Sequence, residues 1–449
     1  MKPAYSRRLG STEQALWLRD RATPLHFVLT AQVKGELQST ALTQALARLQ
    51  QRHPLLRVSI ALDSKNHAWF IEHPFPIPCR ILQRQGGQHW QEVAARELQR
   101  PFVWSEAPLI RVVLLHSSHL SELLVICHHA IADGLATANL IQELLTLLSD
   151  PEQDMPARPI PPPLEALLSD YQPAQKILKL LARGLLYLKQ FIQTLKRDLG
   201  KILMFDSLQV SGETLSTEFT TTLIHRCRAE GTTVHAAICT AVIFAIALHQ
   251  KSLEQPLKCF SPINVRPYLQ SSLEQDCGTY IAPALTTHSI DTESQFWQTA
   301  RSLKSELTAQ TESNHLLKLA QQHELLMGAK PAPRLLQQIF LERCESDVMV
   351  TNLGRLAISQ QFGNLRLEAI YGPVVLSGFA QERVFGIATL DDRLSFTLTH
   401  QAPDSDFLLQ QALCLLEHAI EIPELNLSTA ASLKSQLTTQ RQLTHYGRV

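Results

Sequence analysis

The sequence predicts an α/β fold with mixed sheets, arranged as two lobes. Three observations carry that expectation. Strand-like and helix-like segments alternate along both halves of the chain, a proline-rich break separates the halves, and 449 residues exceed what one ordinary core holds.

In the N-terminal half, Ser11-Thr12-Glu13-Gln14 reads as a helix start, with a capping box from Ser11 to Gln14. Phe27 to Val33 is a strand candidate, followed by a helix over Leu42 to Leu49. Strands near Val58 to Leu62 and Trp69 to Ile71, a helix over Trp90 to Leu98, and strands over Ile110 to Leu115 and Leu123 to Cys127 come next. A helical pattern from Leu135 through Leu148 completes this half. Strands that return after both hairpins and helices imply a mixed sheet with helices packed on it.

The break lies at Asp154-Met155-Pro156-Ala157-Arg158-Pro159-Ile160-Pro161-Pro162-Pro163, whose proline content favours an extended, semi-rigid linker. The expected organisation is therefore an N-terminal lobe over 1–153, a linker with a basic amphipathic helix over 154–213, and a C-terminal lobe over 214–449. In segment 174–205, Ile177, Leu181, Leu185, Leu188, Ile192, Leu195 and Leu199 recur at helical spacing. Lys176, Lys179, Arg183, Lys189, Lys196, Arg197 and Lys201 surround them. Such a helix either packs its apolar stripe on a lobe or docks on an anionic membrane or an acidic carrier protein.

The second half repeats the grammar. Strand Thr214 to Thr220, helix Thr233 through Ala247, strand Leu257 to Ile263 and helix Ser294 to Leu307 are expected in order. Strands near Asp347 to Thr351, Arg366 to Tyr371, Val384 to Leu390 and Leu394 to Thr399 lead to a final helix over Phe407 to Ile420. Weak internal duplication follows, because each half ends in a strand, a turn and a long helix.

The segment richest in chemistry is His128-His129-Ala130-Ile131-Ala132-Asp133-Gly134, placed where a strand should stop and a turn begin. A histidine at such a junction is held by a rigid strand and can still face a cleft, as a general base requires. Glycine after aspartate suits a tight turn with positive φ. His400 and Asp404 share the spacing, but the second histidine and the glycine are missing and Pro403 interrupts the pattern, so this copy reads as non-catalytic.

The segment resembles the H-H-x-x-x-D-G motif of the acyltransferase superfamily that includes nonribosomal peptide condensation domains, chloramphenicol acetyltransferase and polyketide-associated acyltransferases. Other landmarks agree along nearly the whole chain. Arg52-His53-Pro54-Leu55-Leu56-Arg57, Pro108-Leu109-Ile110-Arg111-Val112, Ser261-Pro262-Ile263-Asn264-Val265-Arg266-Pro267, Cys277-Gly278 and Thr351-Asn352-Leu353-Gly354 each resemble a family segment. The resemblance implies two chloramphenicol-acetyltransferase-like lobes forming a pseudo-dimer, with one active channel between them. It implies that His129 is the catalytic base, that His128 packs beside it, and that Asp133 pairs with Arg266 to brace the loop. The Gly134 N–H is a candidate oxyanion donor.

Balanced charge, 41 basic against 41 acidic residues, gives no reason to expect nucleic acid as a partner. No apolar run is long enough to span a bilayer, and no apolar h-region follows Met1 to Arg8, so a secretory signal is not expected. The eight scattered cysteines lack paired C-x-x-C spacing, so reduced core thiols in a cytoplasmic protein and no metal site are expected.

The functional expectation is transfer of an acyl group from a thioester, on coenzyme A or a carrier-protein phosphopantetheine, to an alcohol, with no resident cofactor. Because little sequence follows the second lobe, a standalone, monomeric enzyme is expected, similar in kind to the phthiocerol/phthiodiolone dimycocerosyl transferases that esterify lipid diols. An amine acceptor, giving an amide, and a non-catalytic binding protein of the same fold are the alternatives. The D-F-G-W-G signature of plant acyltransferases is absent; the nearest segment is Val384-Phe385-Gly386-Ile387-Ala388.

Overall fold

The computed structural model describes residues 5–169, 171–172, 178, 181, 184–185, 208–250, 253–269, 276–379, 382–401 and 406–433. The basic amphipathic helix expected over 174–205 therefore lies outside the described residues, apart from four positions.

The chain begins with strand β1 (Tyr5–Arg8) and helix α1 (Ser11–Asp20). The expected capping box is displaced by one residue. Gly10 is the N-cap, and its N–H donates to Glu13 Oε2 at 2.7 Å, while Arg7 holds both oxygens of Glu13. Ser11 instead bonds Glu165, which also accepts the Thr12 N–H at 2.8 Å. Two carboxylates thus sit at the positive end of α1, and the one from the linker region fixes the helix in place.

Strand β2 (Phe27–Lys34), helix α2 (Ser39–Arg52), strands β3 (Val58–Leu62), β4 (Ala68–Glu72) and β5 (Cys79–Gln83), and helix α3 (His89–Leu98) follow. Then come β6 (Ile110–His116), β7 (Leu120–Cys127) and α4 (Gly134–Ser149). Strand β2 is buried on both faces over Phe27–Ala31, which explains a near-continuous apolar run rather than an alternating one. Arg52 Nε and His53 Nε2 reach the two oxygens of Glu143 at 3.1 and 2.6 Å, tying the end of α2 to the middle of α4.

The expected strand over Thr214 to Thr220 is corrected. Strand β8 spans Gln209–Thr214, and residues from Thr217 form helix α5 (Thr217–Ala229). Ser216 caps this helix, its Oγ accepting the Phe219 N–H at 3.1 Å, and Thr220, Leu223 and Cys227 bury one helical face. The β-branched run Thr220-Thr221-Thr222 favours strand by itself, and capping with helical periodicity overrides it.

Helix α6 (Val234–Ala247), strands β9 (Leu257–Asn264) and β10 (Ile281–His288), and helices α7 (Phe296–Gln310), α8 (Ser313–Gly328) and α9 (Pro333–Cys344) continue the chain. It ends in β11 (Val348–Leu356), β12 (Gln361–Phe362), β13 (Leu365–Val375), β14 (Arg383–Leu390), β15 (Arg393–His400) and α10 (Asp406–Glu421). Strand β10 and helices α8 and α9 are elements that sequence periodicity did not reveal.

Two six-stranded sheets form the lobes, in the orders β12-β13-β2-β7-β6-β5 and β10-β9-β11-β14-β15-β8, beside a small sheet β1-β4-β3. The first contains β12 and β13, which a boundary at 214 would place in the C-terminal lobe. Residues 361–375 cross over, and β13 pairs antiparallel with β2 from Arg366↔Lys34 to Val375↔Phe27. The C-terminal part of the chain thus supplies the edge strand β12 and its neighbour β13 to the sheet that carries the histidine motif. Where β13 passes β14, a Cβ on Gly386 would stand 2.1 Å from the Pro373 carbonyl oxygen, so only glycine admits this approach.

His400, in the duplicated His-x-x-x-Asp, is fully buried at the end of β15, and Asp404 lies outside the described residues. The eight cysteines are free thiols, most of them buried. Among the described residues no single helix is long and apolar enough to cross a membrane.

Candidate active site between the lobes

Strand β7 ends at Cys127, and the chain then makes a tight loop before α4. The His128 N–H donates to the Leu109 carbonyl at 3.0 Å, and the Ile131 N–H closes a turn on the His128 carbonyl at 3.0 Å. His128 is fully buried. Its Nδ1 accepts the Ala130 N–H at 3.0 Å, which places the ring proton on Nε2, 3.4 Å from Asp20 Oδ2. The carboxyl of Asp20 is held below its usual range: His128 and the Leu25 N–H together outweigh the opposing effect of burial. His128 is thus part of the wall that ties the loop to the end of α1.

His129 faces the other way. Its ring packs on Phe27 with centroids 4.5 Å apart, and its carbonyl accepts the Thr279 hydroxyl at 2.6 Å. The Nδ1 atom is buried and unpartnered, while the side chain as a whole is half-buried and lines a cavity between the lobes. That cavity encloses about 840 Å³ when its open mouth is included. Burial pushes the His129 pKa down to about 4; nearby Asp133 and the Ala132 carbonyl oppose this, whereas His128 and Arg19 add to it. The ring is therefore neutral, and able to accept a proton, across the physiological range.

Asp133 does not contact His129. It is the N-cap of α4, with Oδ1 accepting the Ala136 N–H at 2.9 Å. Arg266 forms a bidentate pair with it at 2.8 and 3.1 Å, and the Tyr280 N–H donates to Oδ2 at 2.9 Å. Each carboxylate oxygen thus accepts two hydrogen bonds, and nothing remains for the imidazole. Asp133 N–H to the Gly278 carbonyl at 3.1 Å and Cys277 Sγ to the Ile131 carbonyl at 3.3 Å extend the seam. One short stretch, Cys277–Tyr280, therefore fastens the whole histidine loop to the C-terminal lobe. The sequence supplied Asp133, Arg266 and the Cys277-Gly278 landmark, but carried no sign that Thr279 and the Tyr280 backbone take part.

Gly134 opens α4, and its place is set by contact rather than by dihedral angle. The positive φ expected for it is absent. A Cβ here would lie 2.5 Å from Leu353 Cδ2 and 3.0 Å from Pro373 Cγ. The left-handed turn is instead at Gly354, with φ of 70°, where Asn352 Oδ1 accepts the Gly354 N–H at 2.7 Å and presents Leu353 to Gly134. Gly134→Ala is expected to cost about 1–3 kcal/mol through overpacking. Chemical denaturation checks this, and an unchanged midpoint would contradict it.

Acid should weaken the fold in a defined window. Burial pushes His26, His129 and His235 each to about 4, from an ordinary 6.5. Between these values the unfolded chain takes up protons that the folded chain refuses, so the stability present above pH 6.5 drains away as pH falls toward 4. The denaturant midpoint should decline across that interval, and a midpoint constant from pH 7 to 4.5 would contradict the assignment.

Among the described residues no group of three or more His, Cys, Asp and Glu is arranged to hold a metal ion.

Comparison with known proteins places this geometry. The family described as Condensation domain matches residues 21–319, more than half of the chain. One of the plipastatin synthase proteins of Bacillus subtilis (strain 168) is 26% identical over 281 residues, covering 59% of this chain and 10% of that protein. A linear gramicidin synthase protein of Brevibacillus parabrevis is 31% identical over 148 residues, 30% of this chain and 3% of that protein. The chain therefore spans only a small part of these relatives' length. Among solved structures, polyketide synthase associated protein 5 from Mycobacterium tuberculosis superimposes with a TM-score of 0.64 at 17% identity, covering 93% of this chain and 98% of the other. The trichothecene 15-O-acetyltransferase of Fusarium sporotrichioides gives 0.66 at 12% identity, covering 91% and 94%. The first condensation domain of the calcium-dependent antibiotic synthetase gives 0.65 at 14%, covering 95% and 99%. These likenesses establish a two-lobed, chloramphenicol-acetyltransferase-like fold, and with the family match over residues 21–319 the chain belongs to the condensation-domain family.

Proposed function

We propose that this protein is an acyltransferase that moves an acyl group from a thioester, on coenzyme A or an acyl carrier protein, to an alcohol of lipidic or polyketide type. His129 is the general base. The observation that carries the reading is the neutral, half-buried imidazole of His129 facing the cavity between the lobes on a loop braced by the Asp133–Arg266 pair.

The chemistry balances without an added oxidant, reductant or metal. His129 takes the proton of the acceptor hydroxyl as its oxygen attacks the thioester carbonyl carbon. The carbonyl π electrons move to oxygen, giving a tetrahedral oxyanion, and the Gly134 N–H at the positive end of α4 is a donor suited to it. Collapse of that intermediate breaks the carbon–sulfur bond, and the imidazolium returns its proton to the departing thiolate. The products are one ester and one free thiol.

An amine acceptor would follow the same steps to an amide, a second reading favoured by sequence similarity to the gramicidin and plipastatin synthases. The two are separated by incubating the protein with acyl-coenzyme A and acyl-carrier donors against panels of alcohols and amines, with mass-spectrometric detection. Ester products are expected. Amides alone would select the second reading, and no acylated product with any donor would overturn both.

A further inference from the structure

Arg19 is a half-buried charge that the reaction as described does not use. It stands on α1, donates from Nε to Gln337 Oε1 of α9 at 3.0 Å, and lies 3.2 Å over the Phe340 ring. No ion pair neutralises it among the described residues. Burial pushes its pKa down to about 9, opposed only by the Cys344 thiol, so the guanidinium lacks a counter-ion in poorly solvated surroundings.

Arg19 also lies where two cavities meet. The cavity holding His129 shares Leu16, Arg19, Phe260, Ile281 and Phe340 with a second chamber of about 1160 Å³, mouth included, between α1, α8 and α9. Leu319, Leu326, Leu336 and Ile339 give that chamber an apolar lining. Its ionisable side chains include Arg19, Arg343 and His323, and among the described residues no aspartate or glutamate lines it. In the first cavity the one acidic side chain among the described residues, Asp133, is consumed by Arg266 and two backbone N–H groups. The two adjoining cavities are therefore cationic where they share Arg19, and the second is apolar over most of its lining.

We infer that the acceptor is an acidic amphiphile, a hydroxy- or amino-carboxylic acid whose carboxylate pairs with Arg19 while its apolar body fills the α1–α8–α9 chamber. The acceptor is the partner that brings a free carboxylate, because the carboxyl of the acyl donor is already committed to the thioester. A phosphate on the donor's pantetheine arm is a poorer match, since the arm holds it far from the reacting carbonyl whereas Arg19 borders the same cavity as His129. Pairing would have a further effect: Arg19 is one of the charges that hold His129 down, so neutralising it makes the base stronger.

The inference rests on acyl transfer only for its turnover arm. With an acyl-coenzyme A donor, 3-hydroxydecanoate is expected to exceed both its methyl ester and 3-hydroxybutanoate by about tenfold or more in kcat/KM, as a charge-assisted pair supports. Arg19→Met should erase the advantage over the methyl ester, and Arg19→Lys should restore part of it. Ile339→Trp, which fills the chamber, should erase the advantage over the short acid. Equal rates for acid and methyl ester, or equal losses on both in Arg19→Met, would overturn the inference.

A binding arm keeps the two ideas apart. Calorimetry should show 3-hydroxydecanoate binding to the wild type and to His129→Ala, and about tenfold weaker binding to Arg19→Met. Arg19-dependent binding without turnover of any acceptor would sink the acyl-transfer reading and leave this one standing. Turnover with no dependence on Arg19 would do the reverse.

Discussion

Replacing His129 by alanine should lower kcat about 10²- to 10⁴-fold, the range spanned by loss of a positioned acid–base group. The fold should survive. The ring packs on Phe27, its Nδ1 makes no hydrogen bond, and the backbone carbonyl that accepts the Thr279 hydroxyl remains in the variant. Truncation therefore strands at most the Ala132 carbonyl, and the side chain is not a main support of the loop. Because the loss belongs to the transition state, kcat and kcat/KM should fall together with KM little changed. Steady-state kinetics beside a denaturation curve reads both quantities. Full turnover, or a collapse in stability equal to that of the bracing variants, would contradict the role given to His129.

Asp133→Ala should act in the opposite sense, on folding first. It leaves the Arg266 guanidinium unpaired in a seam where that side chain is only 10% exposed, and it frees the Ala136 and Tyr280 N–H groups. Breaking a buried pair by removing one partner costs about 3–5 kcal/mol. A domain holds only about 5–15 kcal/mol in total, so a marked loss of soluble protein is expected. Arg266→Ala should be somewhat milder, since Asp133 keeps its two backbone donors. The double variant should cost less than the sum of the singles, because the second removal no longer strands a charge. Thermal and denaturant unfolding of the three variants measures this. Undiminished stability with lost turnover in Asp133→Ala would instead make Asp133 a direct member of the catalytic relay.

Local signals in the sequence were enough for the histidine loop and its immediate supports. An apolar run ending at Cys127, a polar loop and a periodic segment from Leu135 are encoded within one stretch, and β7 and α4 flank the loop accordingly. Partners far away in sequence were legible only where a family landmark marked them, as with Arg266. The crossing of residues 361–375 into the N-terminal sheet was not legible, because a strand's own pattern does not name the strand it pairs with. The strand expected over Thr214 to Thr220 failed for the converse reason, because a cap at Ser216 and a buried helical face make helix from Thr217. Gly134 was singled out, but for a dihedral angle it does not adopt; its constraint comes from Leu353 and Pro373, more than 200 residues away in the chain. Arg19 carried no signal at all. One arginine on an amphipathic helix reads as a solvated face, and only the packing of α8 and α9 over it turns that face into the wall of a cavity.

The most direct test of the central claim is to quantify, in one reaction, the acylated acceptor and the thiol released from the donor, for the wild type and for folded His129→Ala. General-base transfer by His129 predicts equal amounts of the two products from the wild type, rising together, and near-complete loss of both in the variant. Acylated product formed at an undiminished rate by His129→Ala would contradict it.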